Sequence, residues 1–302
     1  KTYFDAGLDY SNSFGPHSIT GLVLGSAMKF SIPNGSENTA SGVMGLLGRV
    51  TYNFKERYLA EFNAGYNGTE QFLEGKRFGF FPAYSAGWVA SNEPFFPKND
   101  IFTFFKIRAS YGGVGNDQIG ETRYLYLPGT FNINQNGNGY YFGNSDGSTA
   151  NPFYSGAIEG NIGNPEVTWE RTIKRNLGVE TKFFRDRLSF TADIFKDKRN
   201  NILTRLGTIP YTYGVASDRV PPVNVGRVKN HGYEMVLGWN DRTANGKLRY
   251  NISGNLNYAR NQIEFQAEAA KAFPWMNSTG YAVNQYKGLI TNGFFNTPED
   301  LN

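Results

Sequence analysis

The sequence predicts an all-β, antiparallel chain, and three observations predict it. Apolar and polar residues alternate with a period of two in segment after segment. The connections between those segments alternate between short and long. Tyrosines close both ends of the apolar stripes. Only extended backbone sends successive side chains to opposite sides, so a period of two separates strand from helix.

The clearest strand is 247–258. Leu248, Tyr250, Ile252, Gly254, Leu256 and Tyr258 lie on one face, against Lys247, Arg249, Asn251, Ser253, Asn255 and Asn257 on the other. In chain order, 3–10 sets Phe4, Ala6, Leu8 and Tyr10 against Asp5 and Asp9. Less regular strands read at 20–30, 43–54 and 78–90. Around 58–66, Tyr58, Ala60, Phe62, Ala64 and Tyr66 oppose Arg57, Glu61 and Asn63, with Leu59 the exception. Over 104–111, Phe105, Ile107, Ala109 and Tyr111 oppose Lys106, Arg108 and Ser110. Ile173, Leu177, Val179 and Phe183 oppose Lys174, Asn176, Glu180 and Lys182, and Leu188, Phe190, Ala192 and Ile194 oppose Arg187, Ser189, Thr191 and Asp193. Tyr233, Met235, Leu237 and Trp239 oppose Glu234. A further strand is expected near 281–292.

Lys55-Glu56 and Arg185-Asp186 read as tight turns, and 11–18, 91–100 and 241–246 as moderately short ones. The long connections read at 31–42, 67–77, 115–165, 197–229 and 260–280. Alternation of this kind gathers every long loop at one end. A polar loop as long as 115–165 is uncommon in a compact soluble domain and is expected on the outer rim of an outer-membrane barrel. Tyr58 and Tyr66 lie eight residues apart on one face, as do Tyr250 and Tyr258. Eight residues span roughly 26 Å of strand. At a tilt of about 40° that is roughly 20 Å of height, near the apolar band of about 25 Å between aromatic girdles. Tyr10, Tyr58, Tyr66, Trp239, Tyr250 and Tyr258 are therefore expected at lipid interfaces. Lipid leaves no backbone group satisfied from outside, so a spanning sheet must close. A soluble sandwich or propeller also alternates, and is the competing fold.

Composition narrows the function. Of 302 residues, 39% are hydrophobic and 16% aromatic, with 25 Phe, 19 Tyr, 36 Gly and no Cys. No run approaches the roughly 18 apolar residues of a spanning helix, and the aromatic content argues against disorder. Without Cys there is neither disulfide nor thiol chemistry. The net charge of +4, from 30 basic and 26 acidic residues, is interspersed, and no nucleic-acid groove is implied. Lys1 opens no secretory leader, and the chain is expected to be an internal piece of a longer one.

The search for chemistry finds little. Gly143-Asn144-Ser145-Asp146-Gly147 fits G-x-S-x-G but lacks the strand–turn–helix that a nucleophile elbow needs. His17, read in a short turn, and His231, read at the opening of a strand, have no partner at metal-ligand spacing. No catalytic residue, metal or cofactor is expected. The aromatics of the long loops, Tyr140, Tyr141, Phe142, Tyr154, Tyr211, Tyr213, Phe273 and Trp275, are candidates for contact with a ligand or partner. Packing of the loops on one another would use them equally well. A lumen too wide to fill must meet water or a plug. The polar set Arg49, Glu61, Asn63, Lys106, Arg108, Lys174, Glu180, Asp193, Glu234 and Arg249 is expected to face it.

Several motifs carry a resemblance. They are GRVTYNFKERYLAEFNAGYNG (48–68), RFGFFPAYSAGW (77–88) and FFKIRASYGGVGNDQIG (104–120). GNPEVTWERTIKRNLGVETKFFRDRLSFTADIFKDKRNNIL (163–203) adds Asn-Pro followed by Trp-Glu. NVGRVKNHGYEMVLGW (224–239), SGNLNYARNQI (253–263) and GYAVNQYKGLITNGFF (280–295) complete the set. In order and spacing the chain resembles the SusC/RagA-like TonB-dependent outer-membrane transporters. That resemblance implies a segment of about ten or eleven strands from a 22-stranded barrel of a Gram-negative bacterium. The plug domain and TonB box would lie outside 1–302. It also implies import of oligosaccharides or peptides, a SusD-like surface lipoprotein as lid, energy from the TonB–ExbB–ExbD complex, and no enzymatic activity. A passive porin or surface adhesin barrel is the alternative, and a barrel-embedded hydrolase is disfavoured.

Overall fold

A computed structural model describes the chain except for residues 31–40, 119–122, 130, 134–138, 142–152, 159, 211, 213, 215, 244, 292 and 294–302. Among the described residues fourteen strands run in chain order: β1 Thr2–Phe14, β2 His17–Phe30, β3 Ser41–Phe54, β4 Tyr58–Thr69, β5 Phe78–Val89, β6 Phe102–Asn116, β7 Asn132–Ile133, β8 Gly139–Tyr141, β9 Phe153–Ser155, β10 Ala157–Ile158, β11 Glu170–Phe183, β12 Leu188–Thr204, β13 Val223–Arg242 and β14 Arg249–Phe265. Ten of them form one antiparallel meander, β1-β2-β3-β4-β5-β6-β11-β12-β13-β14, whose edges are β1 and β14. The short strands pair among themselves, β7 with β10 and β8 with β9, inside the connection from β6 to β11. The helical residues are short 3₁₀ turns such as Ala90–Asn92 and Pro274–Met276.

The strands are longer than the alternation predicts, so the connections shrink. The expected 11–18 connection is only Gly15–Pro16, with Gly15 at φ +58°. The 197–229 loop contracts to 205–222, and 260–280 loses its first six residues to β14. Mixed polar residues at the strand ends break the alternation there, although cross-strand hydrogen bonds continue. His17 consequently opens β2, and His231 lies inside β13. The strand expected near 281–292 does not form among the described residues. Its chain instead crosses the end of β14, where Ile263 N–H donates to Tyr281 O and Gly280 N–H to Ile263 O, each at 2.8 Å.

Register turns ten separate alternations into two continuous faces. Paired residues in a ladder point the same way. Tyr10, Gly21, Val50, Phe62 and Tyr84 are successive partners across β1–β5. Ala109, Leu177, Ile194, Tyr233 and Tyr258 are successive partners across β6 and β11–β14. The whole apolar set shares one face, and among the described residues nothing packs on it: Leu8 stays 79% exposed and Ile252 67%. A patch of that extent is foreign to a soluble surface.

The buried core is small and lies at the long-loop end. Phe72, Phe81, Val167 and Trp169 form it, with Leu125 and Leu203 packed against it. It sits where the β5–β6 pairing stops at Ala83–Gly112 although both strands continue.

Candidate functional site

The ten polar residues singled out in the sequence all fall on the face opposite the apolar one. Successive pairings carry the row Gly87, Arg108, Gly178, Asp193, Glu234 and Asn257 from β5 to β14. Arg49, Glu61, Asn63, Lys106, Lys174, Glu180 and Arg249 occupy matching positions of their own strands.

Arg108 is the hub of this face. Its Nε donates to Glu180 Oε1 at 2.9 Å, and its Nη2 to Asp193 Oδ2 at 2.7 Å. Its Nη1 reaches Asn176 Oδ1 at 3.4 Å, and Lys106 Nζ joins Glu180 at 3.4 Å. The guanidinium spans an intervening strand to meet Asp193, and Gly178 makes that reach possible. A Cβ there would lie 2.6 Å from Asp193 Oδ1 and 2.8 Å from Arg108 Cζ. Among the described residues Asp193 Oδ1 has no hydrogen-bond partner, and Asp193 lies beside Glu234 on the next strand.

A second cluster lies on β3 and β4. Arg49 Nη2 donates to Glu61 Oε2 at 2.8 Å, and Asn63 Nδ2 to Glu61 Oε1 at 2.7 Å. Between the clusters the small residues Ser85 and Gly87 of β5 leave a recess of about 420 Å³, lined by Glu61, Lys106, Arg108 and Asn176. Lys174 lies 4.0 Å from Asp197. Glu234 and Arg249 enter no ion pair among the described residues, and Arg249 faces Arg242.

The six interface candidates share the apolar face. Tyr233 and Tyr258 stack at 5.4 Å between centroids, and Tyr66 stacks on Phe78 at 5.0 Å. Trp239 meets Phe184 at 6.3 Å.

The loop aromatics separate. Tyr140 and Tyr154 become cross-strand partners in β8–β9, both more than half exposed. Trp275 stacks on Phe273 with centroids 4.4 Å apart and planes within 8°. Phe142, Tyr211, Tyr213 and the side chain of Tyr141 lie outside the described residues, as does 143–147.

Sequence reading missed what holds the long loops. Trp169 and Asn164 appeared there only as motif letters. In the structure Trp169 Nε1–H donates to Arg77 O at 3.1 Å, and Asn164 Nδ2 to Pro222 O at 2.9 Å. Asn224 accepts from Thr168 N–H at 3.0 Å and returns Nδ2 to Thr168 O at 2.9 Å and to Asn201 O at 2.8 Å. Lys76 binds Glu166 at 2.6 Å. The density of Asn, Pro and Trp in 163–169 was the one available signal. Glu268 adds a fixed turn by accepting Ser278 N–H and Thr279 N–H, each at 2.8 Å, and the Ser278 bond in particular holds its carboxyl below the usual range.

At the short-turn end Glu93 gathers Trp88 Nε1–H at 3.1 Å and Arg57 Nη1 at 3.3 Å. The Tyr58 phenol, then the Trp88 indole, hold its carboxyl below the usual value. Among the described residues no three His, Asp or Glu side chains could hold a metal ion.

The arrangement can hold a water-filled or protein-filled space against one face and apolar solvent against the other. Comparisons with known proteins agree with it. The sequence profile of the family described as "TonB dependent receptor-like, beta-barrel" matches residues 1–298. "TonB-dependent receptor P39" of Formosa agariphila is 28% identical over 231 residues, 76% of this chain and 20% of that protein. "TonB-dependent receptor SusC" of Bacteroides thetaiotaomicron is 24% identical over 264 residues, 82% of this chain and 25% of that protein. The chain thus spans a fifth to a quarter of these curated relatives. Among solved structures, that of the "RagAB peptide transporter" superposes with a TM-score of 0.71 at 20% identity, covering 92% of this chain and 32% of that one.

Proposed function

The chain belongs to the TonB dependent receptor-like β-barrel family, and on that premise we propose that it forms part of the wall of an importer in the outer membrane of a Gram-negative bacterium. The observation that carries this reading is the pair of continuous faces. The apolar face fronts lipid, with Tyr10, Tyr58, Tyr66, Trp239, Tyr250 and Tyr258 at its borders. The opposite face, centred on Arg108, Glu180, Asp193, Arg49 and Glu61, fronts the lumen, where it holds a plug and lines the path opened when the plug moves. The short turns are periplasmic and the long loops extracellular, near 31–40, 70–77, 117–169, 205–222 and 266–280.

The cargo is a large nutrient, an oligosaccharide or a peptide. The relatives named SusC and RagAB support that class. A SusD-like lipoprotein lid rests on the loops, with Tyr140, Tyr154 and Trp275 among the residues it or the cargo meets. TonB–ExbB–ExbD supplies the energy through the plug. The barrel moves cargo and makes or breaks no bond in it.

The test is uptake of labelled oligosaccharides and peptides by cells carrying the full-length protein, with and without a protonophore. Import that stops with the uncoupler is expected. Import that continues unchanged would replace this reading with a passive porin.

A further inference from the structure

Above the stacked pair Tyr233–Tyr258, the outward face changes character. The next row toward the long loops is Tyr111, Arg175, Lys196, His231 and Arg260, successive cross-strand partners from β6 to β14. The row beyond it contains Lys198 opposite Lys229. Five fixed cations and an imidazole therefore crowd two rows of four strands. The one carboxylate beside them on this face, among the described residues, is Glu264, which lies 3.5 Å from Lys198 Nζ. Arg175 rests on the Tyr111 ring at 5.7 Å, and Lys196, Lys229 and Arg260 form no ion pair among the described residues. Arg175, Lys196, His231 and Arg260 are exposed.

Like charges opposite one another in a ladder are destabilising. The carboxylates of the same strands do not relieve them. Asp197 and Glu170 point to the other face, where they bind Lys174 and Arg199. Below the cations lies an apolar floor: a recess of about 600 Å³ lined by Ile194, Tyr233 and Tyr258, with Lys196, Lys229 and His231 at its rim. A basic rim over an apolar recess matches an amphiphile with an anionic head and an acyl tail. At the short-turn end Arg185 pairs with Asp100 and Arg187 with Asp241.

We propose that this rim is a binding site for the phosphate of an anionic lipid in the surrounding leaflet, with an acyl chain lying in the Ile194–Tyr233–Tyr258 recess. The proposal rests on the reading that this face fronts lipid. Each Lys or Arg beside an anionic lipid surface contributes roughly a fivefold gain in binding, and the site neutralises a row that would otherwise repel itself.

The experiment uses the full-length protein in nanodiscs containing equal amounts of phosphatidylglycerol and phosphatidylcholine of one chain length. Native mass spectrometry reads the lipids retained. Wild type is expected to prefer phosphatidylglycerol by about tenfold or more. R175Q/K196Q/K229Q/R260Q is expected to fall to parity, while K55Q/K247Q at the short-turn end keeps the preference. If the fourfold variant does not assemble, K196E alone is expected to lose at least about fivefold. Retained preference in these variants, or displacement of the lipid by millimolar inorganic phosphate, overturns the proposal. A nitroxide at L256C separates it from the reading beneath it. Lipid-accessible Leu256 without phosphate preference ends the proposal alone. Water-accessible Leu256 ends the orientation of the barrel as well.

Discussion

At one end of the sheet, strands are joined by Gly15–Pro16, 55–57 and 184–187; at the other, by 70–77, 117–169 and 205–222. The short connections are closed by backbone conformation. Lys55 and Glu56 both adopt φ 55°, and Phe184, Arg185 and Asp186 lie between 56° and 65°. Each then ties to its neighbour: Lys55 N–H donates to Pro16 O at 2.8 Å, and Phe184 N–H to Ile101 O at 2.8 Å. The long connections are closed by burial instead. Phe72, Val167 and Trp169 come from segments far apart in sequence, and Phe72 and Val167 are fully buried. Turn chemistry is local and cheap in loop entropy, whereas order in long loops requires apolar surface removed from water. The comparison shows which end can tolerate change. Substitutions at turns act locally, while one ring at the other end orders several loops together.

The largest break in that comparison is Trp169→Ala. Truncating a buried aromatic costs about 3–5 kcal/mol, here concentrated in the loop scaffold. Hydrogen exchange should rise together in 70–77, 123–129 and 160–169, while the strand amides stay protected. Exchange confined to 160–169 would show that the loops are ordered independently.

Arg108→Met, midway between the ends, comes next. It removes charge-assisted hydrogen bonds to Glu180 and Asp193, each worth about 1.5–3 kcal/mol when fully desolvated. Partial exposure of Arg108 brings the expected loss to about 1–2 kcal/mol. Denaturant unfolding in detergent reads it, and an unchanged midpoint would show that the cluster is structurally idle. Gly178→Ala should reproduce part of the loss by wedging the pair apart.

The smallest effect is at Glu93. Its folded pKa lies below the ordinary 4.5 because of Tyr58 and Trp88. A depressed carboxyl contributes stability that is complete above its unfolded value and lost as pH falls through the lowered folded value. Trp88 fluorescence should therefore stay constant down to about pH 4.5 and change only below it. The Glu93→Gln variant should lack that transition, and a transition kept in the variant would assign it elsewhere.

Much of the wall was legible in the residues. The alternation at 247–258 places Ile252 and Leu256 opposite Asn251 and Asn255 without any knowledge of neighbours, because a strand has only two faces. The polar set from Arg49 to Arg249 follows by the same rule. The extra length of β12 and β13 was not legible, because Lys196 and Lys198 look like loop residues when the outward face is assumed apolar throughout. The expected strand at 281–292 failed for the converse reason. Tyr281 finds its backbone partner in Ile263, and the following residues have no ladder to continue.

The sequence by itself determined that the chain is all-β, where the turns at Lys55-Glu56 and Arg185-Asp186 lie, and which side chains share a face, since each depends on backbone geometry within a few residues. Register, the Arg108–Asp193 bridge over Gly178, the Trp169 scaffold and the row of cations from Arg175 to Arg260 were decided by tertiary structure alone. They join residues of different strands or loops, and only the pairing of those elements sets the distances between them.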